Sequence, residues 1–181
     1  TDKVISQLRK RFKIKDLGYT IGIHIDYKRN DHTLLLNQRL YIETVSRRFG
    51  QQDANPVYSP ADKNLKLTKD LPGPDCPGDY RALVGSLIYT VQTRPDVATI
   101  VSSLSRFLDC PTSTHWAAAI RVLRYLYTTR DKSLFFQPKS HLNRKGHELK
   151  FFVDASYNSD PDTSRSRSGY IATFNGCPIA W

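Results

Sequence analysis

The chain contains no methionine, so Thr1 is not read as a natural start, and Trp181 closes an apolar segment with nothing after it. Both ends are expected to be cuts in a longer chain. Cysteine is scarce: Cys76, Cys110 and Cys177 are odd in number and far apart. No Cys-x-x-Cys pair or His/Cys cluster has metal-ligand spacing, and a reduced intracellular setting is the simpler reading of that usage. No run of about 18 apolar residues is present to span a membrane. The N-terminus carries no hydrophobic signal segment, so no membrane partner is expected. Negative charge is also short. Seventeen Asp and Glu face 27 Lys and Arg, a net charge of +10. That excess favours a polyanionic partner, most plainly nucleic acid. A hydrophobic share of 39% with ten tyrosines argues against wholesale disorder. With 181 residues, the chain accommodates one domain, or a domain with part of another.

What is present is organised around residues 79–130, the one long run of helical periodicity. Apolar positions fall at Leu83, Val84, Leu87, Ile88 and Val91, then at Val97, Ile100, Val101, Leu104 and Leu108. A third set is Trp116, Ala119, Ile120, Leu123, Leu126 and Tyr127. Each keeps the i, i+3, i+4, i+7 spacing of a single buried stripe. Pro95 stands where a first helical residue belongs, and Pro111 follows the second helix. Ser113 and Thr114 offer hydroxyls to cap the third. Connections this short predict a compact three-helix unit. His115 reads as a helix-start residue with a packing role. Arg121 and Arg124 share one face of the third helix, and Arg130 continues beyond it. They either bind backbone phosphate, which needs charge and reach, or form a solvated or salt-bridged face.

Upstream, residues 2–12 form an amphipathic helix with Val4, Ile5, Leu8 and Phe12 inward. Arg9, Lys10, Arg11 and Lys13 crowd its end, where cations suit the helix dipole. Alternation through Tyr19, Ile21, Ile23 and Ile25 predicts a strand with a buried face. A polar turn at 28–31 and a second strand at 32–36 complete a hairpin. Gly18 and Gly22 mark a turn and a close backbone approach, and their spacing matches neither a dinucleotide nor a P-loop motif. Asn37 caps a helix over 38–49 whose apolar side is Leu40, Tyr41, Val45 and Phe49, and Gly50 stops it. Arg39, Arg47 and Arg48 lie elsewhere on its surface. Residues 51–78, rich in Pro, Asp, Asn and Lys, form a linker or strap on which Val57, Tyr58, Leu65 and Leu67 dock. After residue 131 the period changes. Short strands are expected at 132–137, 148–154, 169–174 and 178–181, with a polar turn at 138–147. Asp160 and Asp162 read as turn residues.

Several ordered strings resemble a known family. YR-x-LVG-x-LIY, TRPDV, LSRF and HW-x-A-x-x-R-x-LRYL follow one another over about 50 residues. They resemble the region after the polymerase core in copia-type retrotransposon polyproteins. KDLG-x-x-x-GI-x-I with LNQRLYIETVSRRFG resembles the palm's end and its exit into the thumb. FVDASYNSDPDTSRSRSGYIATFNGCPIAW resembles the opening of the ribonuclease H domain.

The resemblance implies an α+β fold in four parts. Residues 1–50 would be the palm-exit hairpin and helices, and 51–78 a Pro-rich linker. Residues 79–131 would be the three-helix thumb/connection unit, and 132–181 the first strands of an incomplete ribonuclease H-like sheet. The neighbourhood of residues 21–26 would help position a primer terminus. Asp154, at the end of a buried first strand, would be the first catalytic carboxylate and a Mg2+ ligand in the intact parent. That chemistry needs several carboxylates converging on two divalent ions.

Arg121, Arg124, Arg47 and Arg48 are the expected nucleic-acid contacts. The partners implied are an RNA–DNA hybrid or DNA duplex and the rest of the polyprotein, in a cytoplasmic particle or the nucleus. The family's upstream Tyr-x-Asp-Asp string is absent, and the other ribonuclease H carboxylates would lie past Trp181. Alone, the chain is therefore expected to bind metal poorly and to catalyse neither reaction. Its expected function is as a fragment of a reverse transcriptase/ribonuclease H that holds duplex. The alternative is a catalytically dead remnant acting at most as a basic interaction module.

Overall fold

The computed structural model describes residues 2–13, 18–62, 64–137, 147–158 and 160–181. The described residues form an α+β fold with five α-helices and two antiparallel sheets. The polar turn expected at 138–147 lies, except for His147, outside them.

The first sheet departs from the simple alternation. Strands β1 (Tyr19–Thr20) and β2 (Ile23–Lys28) are separated by Ile21 and Gly22, with φ of 52° and 71°. Thr20 faces Ile23 across this two-residue turn, so the expected single strand is a tight hairpin. A β-branched residue resists positive φ, and the Tyr89 hydroxyl donates to the Ile21 carbonyl to hold it there. Strand β3 (Thr33–Asn37) pairs with β2 from His24↔Asn37 to Lys28↔Thr33. Strand β4 (Leu134–Phe136) follows the helices in the chain and pairs with β3. It joins the first sheet, although in sequence it stands with the C-terminal strands.

Four helices build the core. Helix α2 (Arg39–Arg48) has Gln38, not the expected Asn37, at its N-cap, although the Arg39 N–H donates to Asn37 Oδ1 at 3.3 Å. It buries Ile42, Val45 and Ser46 and leaves Leu40 exposed, so its inward face is rotated from the expected one. Helix α3 (Tyr80–Thr90) is capped by Asp79, whose carboxylate accepts from the Ala82 N–H at 2.9 Å. Helix α4 (Ala98–Leu104) is entered through a 3₁₀ turn at Pro95–Val97 and left through another at Ser105–Phe107. Helix α5 (Ser113–Thr128) has Thr112 at its N-cap, not the expected Ser113 or Thr114. The Thr112 N–H donates to His115 Nδ1 at 3.1 Å, while the Thr114 hydroxyl donates to the Pro72 carbonyl at 2.9 Å. Leu83, Leu87, Val101, Leu104, Val122, Leu123 and Leu126 meet Ile42 and Val45 in one apolar cluster.

Residues 51–78 wrap this bundle as a strap. The Val57 N–H donates to Thr128 Oγ1 at 3.0 Å, the Ser113 N–H donates to the Pro74 carbonyl at 2.9 Å, and Leu67 is buried. Tyr58 does not dock and is 81% exposed. At Gly78 the strap passes so close to Trp116 that a Cβ would lie 2.6 Å from the ring.

Strands β5 (Leu149–Ser156), β6 (Arg167–Phe174) and β7 (Cys177–Ala180) make the second sheet, in the order β5–β6–β7. The sequence predicts a buried β5, yet all eight of its residues are exposed. Its consecutive Phe151, Phe152 and Val153 point to alternate faces, and no described helix buries either one. Helix α1 (Asp2–Arg9) differs in the same way. Val4, Leu8 and Phe12, expected inward, are exposed.

Candidate nucleic-acid interface

The four arginines singled out in the sequence fall into two pairs with different surroundings. Arg47 and Arg48 occupy the last turn of α2, exposed, where the dipole favours cations. Gly50, with φ 66°, ends the helix, and the Gln51 N–H donates to the Ser46 carbonyl at 2.7 Å. The Arg48 guanidinium lies 5.3 Å from the Phe49 ring centre. Phe49 in turn meets Trp116 edge-on, with centroids 6.1 Å apart, so this corner is fixed against the start of α5. Among the described residues, neither Arg47 nor Arg48 is found in an ion pair.

Arg121 and Arg124 instead reach the strap. Arg121 Nε donates to the Ser59 carbonyl at 3.2 Å. Arg124 Nε and Nη2 both donate to the Asn55 carbonyl, at 3.2 and 2.7 Å. A guanidinium has five N–H donors, so each keeps some free while it ties down the strap. Nearby cations are neutralised. Arg39 pairs with Glu43 at 3.0 Å and Asp131 at 2.6 Å, and Arg130 approaches Glu43 at 3.3 Å.

The TRPDV string has a structural role. Arg94 is buried and forks onto Asp96, with Nε to Oδ1 at 2.9 Å and Nη2 to Oδ2 at 2.7 Å. It also donates to the Thr129 carbonyl at 3.1 Å and to the Thr129 hydroxyl at 2.7 Å. The Tyr125 hydroxyl donates to Asp96 Oδ2 at 2.7 Å. The entry to α4 is thereby bolted to the end of α5. Burial alone would push the Asp96 carboxyl up, but the hydrogen bonds from Arg94 and Tyr125 outweigh it and hold its pKa below 3.8.

Asp154 stands exposed on β5, directly opposite Gly169. Asp160 and Asp162, which follow it in sequence, are engaged elsewhere. Asp160 pairs with Arg106, whose hydrogen bond holds its carboxyl far below the usual range. Asp162 accepts from the Lys69 N–H at 3.0 Å. These contacts, with Arg167 Nη1 donating to Ser103 Oγ at 2.8 Å and Trp181 Nε1 to the Val91 carbonyl at 3.0 Å, fasten the second sheet to the helices. By sequence Asp160 reads as a turn residue. Arg106 lies in the LSRF string, but no local rule joins residues so far apart. Among the described residues no three His, Cys, Asp or Glu side chains cluster as metal ligands. Without such a cluster, the described residues do not fit a two-ion site.

The titrating groups make a solution prediction. His115 is fully buried, with Nε2 3.1 Å from the Thr68 carbonyl, and burial pushes its pKa below 6.5. For His115, Asp96 and Asp160 alike the folded pKa is depressed, so the unfolded chain binds more protons and stability falls as pH falls. The loss from His115 begins below about 6.5, the ordinary value, and that from Asp96 and Asp160 below about 4. Urea unfolding should show a midpoint that drops between about pH 7.5 and 5, and His115→Gln should flatten that part of the curve. An unchanged slope in the variant would contradict this assignment.

No family model matches the chain, and no solved structure matches it. The retrovirus-related Pol polyprotein from transposon TNT 1-94 of Nicotiana tabacum is 37% identical over 194 residues, covering 99% of this chain and 14% of the relative. The retrovirus-related Pol polyprotein from transposon RE2 of Arabidopsis thaliana is 37% identical over 184 residues, 98% of this chain and 12% of the relative. The uncharacterized mitochondrial protein AtMg00810 of Arabidopsis thaliana is 32% identical over 179 residues, 97% of this chain and 71% of the relative. The chain thus spans less than a sixth of the length of either of these polyproteins.

Proposed function

The chain belongs to the family of copia-type retrotransposon Pol polyproteins, and on that footing we propose that it is the part of such a polyprotein that holds a nucleic-acid duplex between polymerase and ribonuclease H. In this reading strands β1–β3 and helix α2 are the exit of the reverse transcriptase palm. The bundle α3–α5 is the thumb and connection, and β5–β7 opens the ribonuclease H sheet. Asp154 is the first ribonuclease H carboxylate, its metal partners supplied by other parts of the parent. This chain's residues bind and orient the duplex.

The observation that carries the reading is the exposed Arg47–Arg48 pair. Arg48 lies over the Phe49 ring, which meets Trp116, and neither arginine is found in an ion pair among the described residues. Two such guanidiniums suit phosphate oxygens, and phosphate contacts position a duplex without reading its sequence. Arg121 and Arg124 contribute their remaining donors, but they also hold the strap, so their replacement mixes two effects. Arg47→Ala/Arg48→Ala separates them. Polarisation of a labelled RNA–DNA hybrid should show binding weakened about 10-fold, with the unfolding midpoint unchanged. Equal binding by the variant would move the interface elsewhere.

A further inference from the structure

Tyr58 is a strap residue whose side chain the packing of the fold does not explain. It stands 81% exposed on a backbone that is tied on both sides. The Val57 N–H donates to Thr128 Oγ1 at 3.0 Å, and the Ser59 carbonyl accepts from Arg121 Nε at 3.2 Å. A ring on a backbone held in this way loses little freedom when a ligand packs on it. Beside it lies a cleft of about 510 Å³ between the strap and the end of α5, lined by Tyr58, Tyr125, Thr128, Thr129, Asp131 and Lys132. Its size lies within the range of about 300–1,000 Å³ that small-molecule sites occupy. Both walls come from the interior of the chain and are hydrogen-bonded to each other, so the concavity owes nothing to an open strand edge.

The charge around the cleft is mostly positive. Lys132 is exposed, with Nζ 6.0 Å from the Tyr125 ring centre. Arg124 holds the Asn55 carbonyl, before Tyr58 in the strap, and Arg121 holds the Ser59 carbonyl after it. Asp131 is the carboxylate in the lining, and it is paired with Arg39 at 2.6 Å. An exposed aromatic face set among cations suits single-stranded nucleic acid, whose bases offer a π-face and whose backbone offers negative charge. A base inside a duplex is already stacked on its neighbours, so only an unpaired one can be splayed onto a side chain.

We propose that this cleft takes an unpaired base of single-stranded nucleic acid, stacked on the Tyr58 ring, with the adjoining phosphates on Lys132 and on the donors that Arg121 and Arg124 keep free. Stacking of this kind tolerates any base. The site is distinct from the Arg47–Arg48 pair and does not require that pair to hold duplex.

The test compares a short labelled oligothymidine with a blunt RNA–DNA hybrid on the whole chain at low salt. Tyr58→Ala should weaken oligothymidine binding about 10-fold and leave the hybrid and the urea midpoint unchanged. Tyr58→Phe should bind the oligothymidine as the parent does, because the ring and not the hydroxyl carries the contact. Lys132→Ala should lower the dependence of log affinity on log salt by about 0.7 for the single strand. Arg47→Ala/Arg48→Ala, which tests the duplex reading, should weaken the hybrid and leave the tenfold effect of Tyr58→Ala in place. An oligothymidine carrying 5-iodouracil should photo-cross-link to Tyr58, located by mass spectrometry of the digested adduct. Parent-like binding of oligothymidine by Tyr58→Ala, or equal losses for single strand and hybrid, would overturn the proposal. No binding of oligothymidine by a folded sample at low salt would overturn it too, and leave the cleft to a polypeptide.

Discussion

Replacing Arg94 by alanine is expected to destabilise the fold by about 3 kcal/mol. The Arg94 side chain is only 4% exposed, and the variant would leave the Asp96 carboxylate and the Thr129 carbonyl without their guanidinium partner. Truncating one member of a buried ion pair typically costs about 3–5 kcal/mol, because the other charge stays behind unpaired. Asp96 is 37% exposed, so water relieves part of that penalty and the lower end applies. The loss is also structural. Arg94 touches the turn before α4, the Tyr125 ring and the end of α5 together, with its guanidinium carbon 5.4 Å from the Tyr125 ring centre. Arg94→Lys should recover little, since an ammonium cannot fork onto the carboxylate and also reach Thr129. Urea unfolding of the three proteins measures this. A loss under about 1 kcal/mol in the alanine variant would show that the pair is as weak as an exposed surface bridge.

Leu123→Ala should cost a similar amount by a different mechanism. Leu123 is 1% exposed on α5, in the apolar cluster that also holds Leu83, Leu87, Leu104 and Ile42. Truncation removes transfer free energy and leaves a cavity that close-packed neighbours cannot fill, together about 2–5 kcal/mol. Leu123→Met, nearly equal in volume, should cost less than about 1.5 kcal/mol. Neither should change duplex affinity in a sample that is still folded, since Leu123 has no surface to offer. A Leu123→Ala protein with an unchanged unfolding midpoint would mean that the bundle is loosely packed.

The helices can be read from sequence because their signals are local. Three apolar stripes at period 3.6, Pro95 at a first turn and Pro111 after a last one act within a few residues, and α3, α4 and α5 lie where those signals place them. Errors arise where distant parts of the chain decide the outcome. A two-residue hairpin preserves alternation, so Tyr19, Ile21 and Ile23 read as one strand although the chain reverses at Ile21 and Gly22. Strand β4 pairs with β3, about 100 residues earlier, and three residues of LFF cannot announce that. An apolar run such as KFFV looks the same in a buried strand and in an uncovered one, so the exposure of β5 is not legible. Arg121 and Arg124 can be placed on one helix face, but the strap carbonyls that they bind come from residues more than 60 positions away. Asp154 can be placed on a strand, while the want of a three-ligand cluster among the described residues is a fact of three dimensions.

We propose that this segment of a Pol polyprotein grips duplex through phosphate contacts. The most direct test is the affinity of the folded chain for an RNA–DNA hybrid and for a DNA duplex of unrelated sequence, measured across a salt series. The account predicts binding to both at low salt, little sequence preference, and an affinity that falls linearly with log salt at a slope of about −2 to −4. No binding at low salt by a folded sample, or an affinity indifferent to salt, would contradict it.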